Sequence, residues 1–114
     1  MESKIVEYRE ITGWITEVLP LLKRSVTMFE KHYKSVYVGI TGRNPQARFN
    51  EHCRKENWER MIVKYKTTSE AFVNKIENYF IITHPQLKNK WLGKSNLAKN
   101  KYNYFYILVK DRKD

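Results

Sequence analysis

Arg48 and His52 stand four residues apart in Ala47-Arg48-Phe49-Asn50-Glu51-His52, and residues four apart on a helix project side by side. A guanidinium cannot lose its proton and donates in a fork that matches phosphate oxygens. An imidazole beside it can hydrogen-bond the same phosphate or a neighbouring hydroxyl. Upstream, Val36-Tyr37-Val38-Gly39-Ile40-Thr41 sets a phenol two residues from a glycine. Gly39 would clear space for a substrate backbone. Downstream come Glu77 and Asn89. Arginine, histidine, tyrosine and one carboxylate together suit the cleavage or binding of phosphodiesters.

The elements that must position these groups follow from periodicity. Val36, Val38 and Ile40 alternate with Tyr37, Gly39 and Thr41, which predicts a strand over 35–41. Asn44 is a helix cap, with Pro45 at the first helical position. That helix runs to about Asn57 and turns Phe49 and Cys53 inward. Residues 60–66 read as a strand. A helix with the apolar stripe Phe72, Val73, Ile76, Phe80 and Ile81 follows and stops at Pro85. Tyr102 to Lys110 has the content of a final strand. Towards the N-terminus, spacings at Ile11, Trp14/Ile15, Val18/Leu19 and Leu22 predict a helix within 3–23, weakened by Gly13 and bent or ended by Pro20. Val26 and Met28 alternate with Thr27 and Phe29, which predicts a strand over 24–29 and a polar turn over 30–34. The expected fold is a small α/β (α+β) domain with a mainly antiparallel sheet flanked by helices. Residues 1–23 would be an N-terminal helical extension and 24–110 the domain proper.

The 114 residues suggest a single core. No apolar run reaches the ~20 residues of a membrane span, and no secretory signal is apparent. Cys53 is the lone cysteine, which excludes an internal disulfide and suits a reducing, intracellular compartment, cytoplasmic or nuclear. The net charge is +10, and residues 85–114 carry eight basic and two acidic groups. Such asymmetry is the usual footprint of a polyanionic partner. Lys88, Lys90, Lys94 and Lys99, with Arg43 in the loop before the helix, would contact phosphates without reading sequence.

Strand with Tyr-Val-Gly, helix with Arg and His, strand, helix with Glu, then Asn: this order resembles the GIY-YIG nuclease superfamily over roughly residues 24–110. Tyr37-Val38-Gly39 is similar to its YIG element. The resemblance implies a DNA endonuclease using Mg²⁺ (or Mn²⁺), with Tyr37, Arg48, His52, Glu77 and Asn89 as catalytic residues. Glu77 would be the metal ligand. One carboxylate is enough for Mg²⁺, which keeps several waters. Tyr37 would activate water or hold the scissile phosphate, if nearby positive charge lowered its pKa. Asn89 would close the site. One element departs from the pattern. No Gly-Ile-Tyr occurs, and the position about eleven residues before Tyr37 is Val26. Tyr33, Tyr8 or Tyr104 could fill that place. A protein lacking this tyrosine could also bind nucleic acid without cutting it. A homodimer, joined through the N-terminal segment, would be one route to reading a short DNA site.

Overall fold

The computed structural model describes residues 4–87, 97 and 101–113. Seven elements follow in chain order: β1 (Ile5–Ile11), α1 (Ile15–His32), β2 (Tyr33–Thr41), α2 (Pro45–Lys55), β3 (Arg60–Thr67), α3 (Glu70–Thr83) and β4 (Asn103–Arg112). The four strands form one sheet in the order β1-β3-β4-β2. β1 and β3 are parallel, while β4 is antiparallel to both β3 and β2. The chain is thus a small α+β domain with a mixed, mainly antiparallel sheet.

Alternation along the strands sorts the core into two layers. Val36, Val38 and Ile40 of β2 join Phe105, Ile107 and Val109 of β4 under α1 and α3. Tyr37 joins Met61, Val63, Tyr106 and Leu108 on the other face, beneath Phe49 of α2 and beside Trp58. Both faces are therefore covered, which accounts for the near-continuous apolar run of β4.

The first third of the chain departs from its sequence expectation. Residues 5–11 form an edge strand, and one helix replaces both the expected strand over 24–29 and the turn over 30–34. Val18, Leu22, Val26 and Phe29 are all buried along α1. Their spacing of four, four and three is helical, and burial of that stripe outweighs the short alternation at 26–29. Pro20 lies inside α1 without stopping it, because burial of Leu22, Val26 and Phe29 beyond it outweighs the backbone hydrogen bond it removes. Gly13 makes the turn out of β1 at φ 131°, a conformation that side-chain-bearing residues resist, and its carbonyl accepts from the Tyr65 hydroxyl at 2.6 Å. The residues assigned to an N-terminal extension thus supply a strand and part of a helix of the same sheet domain. The 23/24 boundary falls inside α1.

Polar ties clamp the layers. Arg60 donates to Glu7 of β1 at 2.6 Å and to the Tyr33 hydroxyl at 2.7 Å. His84, capping α3, pairs with Glu30 of α1 at 2.8 Å.

Val26 is fully buried under the sheet. Val26→Tyr, which would restore a tyrosine at the position picked out by sequence spacing, is expected to overpack this core. It should lower unfolding stability by ~1–3 kcal/mol in urea titrations without creating a site group.

Candidate active site

α2 carries most of the site's polar groups. The Asn44 side chain accepts from the Gln46 and Ala47 amides at 2.8 and 3.3 Å, fixing the first turn. Phe49 anchors the helix on the sheet. Arg48 and His52 then lie on the neighbouring stripe, over the face of β2 and β4 that carries Tyr37 and Tyr106.

Gly39 and Tyr106 are directly paired across β2 and β4. A Cβ on Gly39 would lie 2.5 Å from both the Cζ and the hydroxyl oxygen of Tyr106. Only glycine lets the phenol settle there. The room expected at Gly39 for substrate is filled by Tyr106.

The Tyr106 hydroxyl lies 2.7 Å from His52 Nε2, and Arg48 is within hydrogen-bonding reach of the same oxygen. Arginine can only donate. A phenol oxygen carries one proton and two lone pairs, so it can accept from Arg48 and either donate to or accept from Nε2. The ring is neutral at pH 7. Burial, helped by the positive charges of Arg48 and Lys55, holds His52 down to about 4. Burial also pushes the Tyr106 phenol above its ordinary range.

Tyr37 presents its ring to His52 with centroids 5.0 Å apart. Burial, reinforced by Glu77, pushes its phenol up to about 12 against the opposing pull of Arg48. The expected lowering by positive charge is thus outweighed, and Tyr37 keeps its proton at neutral pH.

Glu77 belongs to α3, in the opposite layer, yet its carboxyl is in electrostatic range of Tyr37, Tyr106 and Arg48. Burial raises it to about 7, with Arg48 opposing. Burial thus favours the protonated form of this carboxyl, and a cation beside it would favour the ionised form. No cluster of three or more His, Cys, Asp and Glu suited to a metal occurs among the described residues.

Arg43 and Arg48 converge on Glu51. Arg43 donates to both carboxylate oxygens, at 2.9 and 2.6 Å, and Arg48 donates to one of them at 3.0 Å. Arg43, foremost, and Arg48 hold this carboxyl down at about 2.

Of the residues singled out in sequence, Tyr37 and His52 are in ring contact, Arg48 is one turn from His52, and Arg43 lies beside Arg48 through Glu51; Glu77 is within electrostatic range of Tyr37 and Arg48. Asn89, Lys88, Lys90, Lys94 and Lys99 lie outside the described residues. The substitutes considered for the missing tyrosine are elsewhere or peripheral. The Tyr33 hydroxyl accepts from Arg60, Tyr8 is exposed on the edge strand, and Tyr104 packs at the rim of the smaller core. Sequence reasoning missed Tyr106 and Glu51. Glu51 could have been found at helical spacing from Arg48. The alternation Tyr102, Tyr104, Tyr106 in the last strand was the available signal for Tyr106. No protein-family model, curated protein or solved structure matches the chain.

Gly39→Ala should lower stability by about 1–3 kcal/mol, because the new methyl displaces a buried ring. Combining it with Tyr106→Val should return part of that loss in a double-mutant cycle; strict additivity would mean that the two positions do not compete for space.

The pH dependence of unfolding separates the two perturbed groups. Folding raises the Glu77 carboxyl from 4.5 to about 7, so the folded state binds the extra proton between those values. This contribution to stability is complete below pH 4.5 and is lost as pH rises to 7. His52 runs the other way: its contribution is present above 6.5 and is lost as pH falls towards 4. Relative to wild type, Glu77→Gln should therefore gain stability as pH rises from 4.5 to 7. Parallel curves for the two proteins would show that Glu77 is not perturbed by folding.

Proposed function

We propose that the chain is a divalent-metal-dependent DNA endonuclease of the GIY-YIG type, acting inside the cell on phosphodiester bonds. The observation that carries this reading is the packing of Tyr37 from β2 against His52 of α2, with Arg48 one turn away and Glu77 of α3 within electrostatic range. These groups are spread through the sequence in the order of the superfamily's motifs. Tyr106 supports the reading further. The strand paired with the Tyr37 strand is the last in the chain, and it brings a phenol to the site for which sequence spacing had offered only Val26.

In this reading Arg48 binds a non-bridging phosphate oxygen, using donors left free by Glu51 and Tyr106. Its side chain is 27% exposed, so part of the guanidinium remains open to a ligand. His52 stays neutral and is held at Nε2 by the Tyr106 hydroxyl. Tyr37, protonated at neutral pH, donates to the phosphate or to the leaving oxygen. Tyr106 is a positioning residue: its hydroxyl holds His52 at Nε2 and lies beside Arg48. Glu77 would hold Mg²⁺ or Mn²⁺, which when bound stabilises developing charge and acidifies a coordinated water. Binding rests on phosphate contacts, so discrimination among sequences is weak.

A second reading has its own support. Tyr106 is 0% exposed and Tyr37 holds its proton firmly, so neither phenol is placed to take a proton from water. A relative that binds nucleic acid without cutting it fits that feature.

Supercoiled plasmid incubated with Mg²⁺, Mn²⁺ or EDTA decides between the two. Metal-dependent nicking that Glu77→Ala abolishes, with duplex binding retained, is the expected result. Binding without nicking under any divalent ion selects the second reading. Tyr106→Phe keeps the ring and removes the bond to His52. It should slow nicking by at least ~10-fold and move the lower limb of the pH–rate profile, because His52 would lose its hydrogen-bond partner. An unchanged rate and profile would remove Tyr106 from the mechanism.

A further inference from the structure

The Arg43–Glu51–Arg48 cluster is an anion site filled by the protein's own carboxylate. Two guanidiniums close on one carboxylate through three hydrogen bonds of 2.6–3.0 Å. Arg43 engages both oxygens, the fork-to-fork arrangement that guanidinium also makes with two phosphate oxygens. Glu51 and Arg43 are on the surface, with side chains 35% and 43% exposed. A pair this open to water contributes modestly, so an anion that makes more contacts can replace Glu51. Arg48 joins the cluster to the site proper, since it reaches Glu51 on one side and Tyr106 on the other. A chain of net charge +10 thus has a negative group seated on two of its arginines, at the place where a polyanion would dock.

We infer that Glu51 is a displaceable stand-in for a backbone phosphate of the nucleic-acid strand: it holds Arg43 and Arg48 in the unbound protein and yields them to that phosphate on binding. The inference rests on the nucleic-acid reading above, and it adds a self-made competitor at the entrance of the site. Glu51 keeps the arginines oriented while the site is empty. It also sets a threshold against weak anions, because an incoming ligand must outcompete a bidentate partner. A strand presenting several phosphates, helped by the surrounding basic charge, meets that threshold.

The test is duplex binding in EDTA, where no turnover occurs, with a short DNA duplex as the probe. Glu51→Gln keeps the shape of the side chain and removes its charge. It should tighten binding about fivefold at low salt, the size of an exposed ion pair. It should also steepen the salt dependence by about one counterion, at ~0.9 per phosphate contact. Arg43→Ala should weaken binding more in the Glu51→Gln background than in wild type, because only there is Arg43 wholly free for phosphate. Weaker or unchanged binding by Glu51→Gln, or an equal effect of Arg43→Ala in both backgrounds, would overturn the inference and leave Glu51 as a fixed orienting group. Plasmid nicking run alongside keeps the two ideas apart. Tighter binding by Glu51→Gln in a protein that never nicks retains the inference and removes the nuclease. Nicking by wild type with no gain from Glu51→Gln does the reverse. Absence of duplex binding by both proteins ends both.

Discussion

Tyr106 packs its phenol where Gly39 has no side chain, and the arrangement of the site depends on that contact. The two residues face each other across β2 and β4, and the ring occupies the space a Cβ at position 39 would take. Once the ring is seated, its hydroxyl is fixed 2.7 Å from His52 Nε2. Arg48, one turn earlier on α2, then shares the same oxygen. A glycine that would ordinarily weaken a strand is here the condition for a buried, fully engaged tyrosine.

Charge in the site is arranged against burial rather than with it. His52 stays neutral, Tyr37 and Tyr106 hold their protons, and Glu77 is pushed up to about 7, all mainly through loss of water. Arg48 is the common countercharge and does not offset that loss. A cation near Glu77 would favour its ionised form. The ties elsewhere differ in kind. Arg60 bridges Glu7 and Tyr33, and His84 pairs with Glu30, each joining two elements and serving the layers rather than a ligand. The cluster of Arg43, Glu51 and Arg48 lies between these two types: fully paired, but on the surface and beside the strained groups.

Much of this was open to reading along the chain. The strand at 35–41, the helix capped by Asn44, the strand near 60–66, the helix carrying Glu77 and the last strand each announce themselves over a few residues, through alternation, a cap or a stripe. The neighbourhood of Arg48 and His52 follows from helical spacing alone. At residues 24–34 four alternating residues looked like a strand, while the helical stripe from Val18 to Phe29 was longer and carried more burial. A short window gives the two periods nearly equal weight, and packing against the sheet decides between them.

What only the tertiary structure decided is which strand lies beside which. Local periodicity states that β4 is a strand; it does not state that β4 enters between β2 and β3, because that choice depends on covering both faces of the whole sheet. Tyr106 was therefore invisible as a site residue, and Gly39 was read as space for a ligand instead of space for a ring. The perturbed acidities were hidden for the same reason. They come from loss of water when distant segments close over Tyr37, His52 and Glu77. The residue types that could do the chemistry were written in the sequence, whereas their partners and their charge states came from contacts between parts of the chain far apart in it.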